Sequence, residues 1–339
     1  MSEYYWTELR SCLIEALKSQ LTGDEQTVEG IISRLTLRPP KNSHWGDLCT
    51  NAAQLCQSVS SETCLLATDL ILEKIRKHEA VKSVDLAESG DINITLKQEK
   101  MVQELPKVIS SGVRYGLSSL KPHCTPLIVE VPDETHDLLA LRQLWTANYL
   151  KKFADLIGLE ATESAWTPGE LQGYPAEAAL AKCGESRLRL ALFANDKDFA
   201  THFSPVLAVD RTYSNPVFAL LYAEARLKRY LRNGVPLDAQ KEGSTLPLAI
   251  ERELLVLVTE WPQVIRLTLR DQDMVNFVSF LQRLSLLFFR LNDEEKLQSS
   301  EYFQDSDSGI LRLQLLGAVR TLLTAGLDLM DVERPEEFI

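Results

Sequence analysis

From Tyr4 to Leu21 the apolar residues Leu9, Leu13, Ala16, Leu17 and Leu21 recur at helical spacing, which predicts an opening helix. Pro39 and Pro40 break the chain. Gly46-Asp47 then opens a stretch in which Leu48, Ala52, Leu55 and Val59 keep the same period, so a second helix is expected there and a third from about Ser61 to His78. Val81 to Leu86 and Ile92 to Leu96 alternate apolar and polar residues on either side of Gly90-Asp91, the pattern of two paired strands. These elements predict a small α+β domain over residues 1–122.

Pro126-Leu-Ile-Val-Glu-Val reads as a short buried strand. After a gap from Pro132 to His136, Leu138, Leu141, Trp145, Tyr149, Phe153 and Ile157 define a long helix that Gly158 ends. Strand, loop and helix in this order begin a nucleotide-binding α/β unit. Residues 159–175, with Pro168, Gly169 and Gly173, are expected to be only a connection, too short for a parallel sheet of several strands. Beyond Asn215 nearly everything is helical: 215–233, 246–259, 262–269, 273–291 and 309–326, with Pro216, Pro247 and Pro262 near starts and Gly234 and Gly326 as terminal punctuation. The polar stretch 292–308 is expected as a solvated loop.

Composition narrows the class. A chain of 339 residues with 45% hydrophobic and 25% charged residues has ordinary globular composition, which excludes disorder, collagen and disulfide scaffolds. No apolar run near 18 residues is visible, so no membrane span is expected, and the opening Met1-Ser-Glu-Tyr-Tyr-Trp lacks an export signal, so a cytoplasmic location is expected. Cys12, Cys49, Cys56, Cys64, Cys124 and Cys183 never form a C-x-x-C pair and read as small buried apolar residues; no metal site is expected. The net charge of −12 argues against a surface that coats nucleic acid broadly, yet leaves room for a local basic site.

Three segments in order resemble the arginyl-tRNA synthetase family. Pro40-Lys-Asn-Ser-His-Trp-Gly-Asp-Leu-Cys-Thr-Asn-Ala-Ala with Ser89-Gly-Asp-Ile-Asn-Ile-Thr-Leu is similar to its N-terminal domain. Asn215-Pro-Val-Phe-Ala-Leu-Leu-Tyr-Ala-Glu-Ala-Arg resembles the opening helix of the DALR anticodon-binding domain, and Arg312-Leu-Gln-Leu-Leu through Gly326-Leu-Asp-Leu-Met to Pro335-Glu-Glu-Phe is similar to that domain's ending. The resemblance implies a mainly α chain in three pieces: an α+β N-terminal domain (1–122), a small α/β Rossmann remnant (123–210) and a C-terminal helical bundle of DALR anticodon-binding type (211–339).

The catalytic piece departs from the family. Ile128-Val-Glu-Val and Leu141-Arg142 resemble the start of the synthetase Rossmann domain, where the family places His-x-Gly-His toward the ATP phosphates. Aligned on Leu141-Arg142, those positions are Asp137, Leu138, Leu139 and Ala140. An aspartate and an alanine in place of two imidazoles remove donors and add negative charge beside a polyanion, each change costing on the order of a few kcal/mol of transition-state stabilisation. His136, one residue earlier, reads as a surface histidine at a helix start. No Lys-Met-Ser-Lys pattern lies between Trp166 and Arg187, and there is no G-x-G-x-x-G, Walker loop, H-E-x-x-H or G-x-S-x-G. No catalytic residues and no cofactor are expected.

A binding site is better supported. Tyr222, Arg226, Arg229 and Tyr230 recur at i, i+4, i+7 and i+8, which puts two cations and two rings on one helix face, and Lys228 and Arg232 add a basic row beside it. Rings stack unpaired bases and cations meet phosphates. The resemblance matches Phe218, Tyr222 and Arg226 to anticodon-facing positions, whereas Ala219 replaces a further tyrosine and Phe338 stands where the family has methionine. The alternative is that Tyr222 packs in the bundle core and the arginines pair with Glu224 or with acids elsewhere on the acidic surface. Asn42 and Trp45 are the candidates in the N-terminal piece, where the resemblance implies contact with the tRNA elbow; the alternative for 42–51 is a helix cap formed by Asp47. The expected function is tRNA binding, of arginine-tRNA type, by a non-catalytic relative. A protein-interaction scaffold and residual arginine–tRNA ligase activity are the other readings.

Overall fold

The computed structural model describes residues 4–21, 24–57, 64–120, 127–167, 169–195, 197–213, 215–237, 245–295, 297, 301–304 and 308–334. Val59, Ser61, Pro122, Cys124, Pro126, Pro168 and the tail from Pro335, with Phe338, lie outside them. The chain divides into two compact units, residues 1–103 and 104–339.

In the first unit, α1 (Tyr5–Lys18) and α2 (Glu25–Ser33) precede β1 (Leu37–Arg38) and β2 (Leu48–Thr50). There follow α3 (Ala52–Gln57), α4 (Cys64–Arg76), β3 (Val81–Leu86), β4 (Ile92–Leu96) and α5 (Gln98–Val102). The strands form an antiparallel sheet in the order β1-β2-β4-β3. Ile92, Ile94 and Leu96 on β4 are buried, as alternation requires, and α1 brings Trp6, Leu9, Leu13 and Leu17 into the same unit's core. The strand pair expected at 81–96 is present. The helix expected from Gly46 is not: Leu48–Thr50 pairs with β4, and the helix starts only at Ala52. Asp47 therefore lies before the strand and not at the start of a helix. Its amide donates to Ile94 O (2.9 Å) and its carboxylate accepts from Leu96 N (2.6 Å), pinning β2 to β4. Gly46, at φ +122°, makes that approach possible, because a Cβ there would lie 2.9 Å from Ile94 O.

The second unit begins with α6 (Leu105–Ser111), then β5 (Leu127–Val131), α7 (Leu138–Ile157) and β6 (Ala161–Ala165). α8 (Ala176–Cys183), α9 (Glu185–Ala194) and α10 (Pro205–Val209) connect to the bundle of α11 (Pro216–Tyr230), α12 (Ala249–Thr259), α13 (Trp261–Asp271), α14 (Val275–Glu294), α15 (Glu301–Gln304) and α16 (Gly309–Leu329). The sequence draws its first boundary at 122; in the structure residues 104–120 belong with the second unit, where Trp261 Nε1 donates to Val113 O (3.2 Å) and Tyr115 donates to Glu104 (2.9 Å). Residues 159–175 are more than a connection, since β6 pairs in parallel with β5 in register Leu127↔Ala161 to Val131↔Ala165. Gly158, in the left-handed region at φ +66°, ends α7 as expected.

Two further expectations change. The polar stretch after residue 291 is not all loop: α14 continues to Glu294, and the short α15 buries Tyr302, which donates to Glu251 (2.9 Å). The 21 residues of α16 are long and apolar enough to cross a membrane, but 72% of its apolar 18-residue window is buried inside the protein. Phe153, Trp261 and Phe277 close the core beside it, with ring centroids 4.9 Å (Phe153–Phe277) and 5.6 Å (Trp261–Phe277) apart.

Candidate nucleic-acid interface

α11 starts where Asn215 accepts from Val217 N (3.1 Å) and donates to Asp210 O (2.6 Å), with Pro216 in the first turn where its missing N–H costs nothing. Val217, Leu220, Ala223 and Leu227 bury one side of the helix. Phe218, Tyr222, Arg226 and Tyr230, four residues apart, form a row along the other. Phe218 and Tyr222 stack at 5.3 Å and 14°. The Arg226 guanidinium lies 5.8 Å from the Tyr222 ring centre and 5.5 Å from that of Tyr230, and donates to the Tyr230 hydroxyl (3.1 Å). Tyr230 in turn donates to Asn292 on α14 (2.7 Å). Burial raises the Tyr230 phenol above its usual pKa, against the pull of Arg226.

The structure thus brings together Phe218, Tyr222, Arg226 and Tyr230, and it is Arg226 that sits between the two tyrosine rings. Lys228, Arg229 and Arg232 are exposed at the end of the helix and make no ion pair among the described residues. Glu224 is not the partner of this row: it is buried, 3.4 Å from Arg320 of α16, with Thr324 also in reach. Nor is Tyr222 a core residue, being half-buried at the margin of the bundle. Ala219 is buried and lines nothing outside.

Three members of the face escaped the sequence pattern. Tyr213, on the segment before α11, has its ring 6.0 Å from Phe218, 5.6 Å from Tyr222 and 4.8 Å from Phe289 of α14. Burial, and next the Tyr222 hydroxyl, push the Tyr213 phenol above its ordinary value, so it stays protonated at neutral pH. Phe289 and Asn292 come from a helix some 60 residues away in sequence, as the Tyr230–Asn292 separation of 62 shows. The one local signal was a tyrosine two residues before the Asn215-Pro216 helix start.

In the first unit Asn42 caps the short 3-10 turn Ser43–Trp45, accepting from His44 N (3.0 Å), and Trp45 is 56% exposed. The unit presents that ring to solvent.

The positions aligned to the ATP signature are used internally. Asp137 caps α7, accepting from Ala140 N (2.9 Å) and from Gly173 N (3.1 Å), and the strap 173–176 closes over the helix start through Leu138 N to Tyr174 O (2.9 Å) and Ala176 N to His136 O (3.0 Å). A Cβ on Gly173 would lie 2.9 Å from Leu139 N. His136 is exposed and meets Glu134 at 2.6 Å. The cavity beside this helix, about 360 Å³, is lined by Leu139, Arg142, Thr146, Trp166, Glu170 and Asp273 among others. Its one cation, Arg142, donates to Leu192 O and lies 5.2 Å from the Phe193 ring centre. No group of three or more potential metal ligands occurs among the described residues.

Comparison with known proteins places the α11–α16 region. Residues 220–338 match the model of the DALR anticodon binding domain. An arginine–tRNA ligase of Rhodopseudomonas palustris is 31% identical over 121 residues, which are 35% of this chain and 20% of that protein. One from Brucella suis is 34% identical over 89 residues, 26% of this chain and 15% of that protein. The matched stretch therefore spans a fifth or less of the length of these relatives. A solved Campylobacter jejuni structure described as an arginyl t-RNA synthetase covers 96% of this chain and 82% of its own, at 14% identity and a TM-score of 0.41. The helical bundle is an anticodon-binding domain of the DALR type. Over this region the chain is similar to arginine–tRNA ligases.

Proposed function

We propose that this chain is a non-catalytic arginyl-tRNA synthetase-like protein that binds tRNA of the arginine type in the cytoplasm. The observation that carries this is the α11 row: stacked rings, a guanidinium between two tyrosines, and three exposed cations, Lys228, Arg229 and Arg232, with no acidic partner among the described residues. Rings of this kind hold unpaired bases at about 1–3 kcal/mol each, while free cations add a salt-dependent grip on phosphates. The Trp45 ring of the first unit supplies a second stacking surface.

The non-catalytic half of the proposal is supported by Asp137. A helix start holds anions when its N–H groups face outward; here a carboxylate of the chain itself takes that place, so a triphosphate would meet like charge. Filter binding with tRNA-Arg, a second tRNA and random RNA of equal length tests the first half, and arginine-dependent ATP–pyrophosphate exchange tests the second. Affinity for tRNA-Arg no better than for random RNA removes the binding assignment; exchange above background removes the other.

The acidic balance of −12 favours a second reading, a scaffold that reuses the bundle to hold a protein partner. Partners that stay bound after RNase treatment distinguish it.

A further inference from the structure

We infer that Tyr213 is the outer stacking ring of the α11 face, the surface on which an unpaired nucleobase lies; this assignment rests on the RNA-binding reading above. Tyr213 stands outside every helix, yet its position is fixed. Asn215 donates to Asp210 O (2.6 Å) and Asn215 N to Thr212 O (2.9 Å), and the Thr212 hydroxyl donates to Asp210 (3.0 Å), so the segment that carries the ring is folded into a turn. On one side the ring packs against Phe289 at 4.8 Å, Tyr222 at 5.6 Å and Phe218 at 6.0 Å. The residue as a whole remains 53% exposed. An aromatic ring braced by three others and open to water is a preformed stacking plane, which needs no reordering when a base arrives.

The charge arrangement favours a nucleotide over an apolar peptide. Beyond Tyr222 the next group along the row is the Arg226 guanidinium, 5.8 Å from that ring's centre, followed by the exposed cations of the helix end. From Phe218 to Tyr230 the row rises roughly 18 Å at about 1.5 Å per residue, room for a short run of unstacked nucleotides. Tyr213 stands six residues before the buried Ala219, on the segment that precedes α11, and adds a more exposed ring to those that α11 supplies.

The test uses the full chain and four proteins: wild type, Tyr213→Ala, Tyr213→Leu and Tyr213→Phe, each titrated with tRNA-Arg across a salt series and each checked for an unchanged melting curve. Tyr213→Ala should weaken binding about 5- to 100-fold, Tyr213→Leu by a similar factor because it keeps apolar packing without a π-face, and Tyr213→Phe by less than about twofold. The slope of log affinity against log salt should stay at the wild-type value, since a ring contributes no charge. If wild type binds tRNA but the Leu and Ala variants bind equally well, the assignment of Tyr213 is wrong and the RNA reading survives. If wild type binds tRNA no better than random RNA, both fall. Unchanged RNA affinity with loss of a co-purifying protein assigns the ring to a protein interface instead and overturns the inference.

Discussion

Replacing Arg312 by methionine should destabilise the second unit by about 3–5 kcal/mol, because it strands a carboxylate in the bundle. Glu251 of α12 has no exposed surface; its Oε1 accepts from Arg312 Nε (2.7 Å) and from the Tyr302 hydroxyl (2.9 Å), and its Oε2 from Leu248 N (2.9 Å). Arg312 also donates to Tyr302 O (2.8 Å) and covers the Tyr302 ring at 4.4 Å, so one side chain ties α12, α15 and α16 together. Burial first, and Glu251 second, raise the Tyr302 phenol far above its usual range, so it remains a donor at every practical pH. In Arg312→Met two neutral donors remain for a buried charge. At about 2–4 °C per kcal/mol for a unit of this size, the melting transition should fall by roughly 6–20 °C. Differential scanning calorimetry of the full chain reads it directly. The double variant Glu251→Leu with Arg312→Met, which removes both charges, should recover part of the loss. A single variant within about 1 kcal/mol of wild type, or a double variant that simply adds the two losses, refutes the account of this network.

Gly46→Ala should cost the first unit about 1–3 kcal/mol, since alanine must adopt φ +122° with its Cβ 2.9 Å from Ile94 O; an unchanged urea midpoint contradicts it. Asp137→Ala should lose about 0.5–2 kcal/mol through two released backbone N–H groups, with Asp137→Asn close to wild type; equal loss in both variants would show that the cap is not the cause. Burial raises the Glu260 pKa against the opposing pull of Arg283, so folding favours its protonated form. Its contribution is therefore best below the ordinary carboxylate value of 4.5 and is lost as pH rises toward the raised one. Glu260→Gln should accordingly gain in melting temperature relative to wild type as pH rises above 4.5, and a difference that does not change with pH rejects this.

Long amphipathic elements were legible because their period is written in one stretch: α1, α4, α7 and the bundle helices keep apolar residues on one side, and β3 and β4 alternate about Gly90-Asp91. β1 and β2 were not, since two and three residues are too few to show a period and Leu48, Cys49 and Thr50 are all buried. β6, Ala-Thr-Glu-Ser-Ala, has no apolar alternation and is held by backbone pairing to β5 while most of its side chains face water. Tyr302 looked solvated among acidic neighbours, yet the hydrogen bond to Glu251 and the Arg312 side chain over its ring hold it inside. The i, i+4, i+8 row on α11 could be read in advance. Tyr213 and Phe289 could not, because they reach the row only through the packing of α14 and the turn before α11.

The proposed function has RNA held by the α11 face of the anticodon-binding domain. Hydroxyl-radical footprinting of tRNA-Arg bound to the full chain tests it most directly, with an Arg226→Ala, Tyr222→Ala double variant as the comparison. Protection of the anticodon loop by wild type that disappears in the double variant is the expected result. An anticodon loop cleaved as in free tRNA at saturating protein, or protection identical in the two proteins, would contradict the claim.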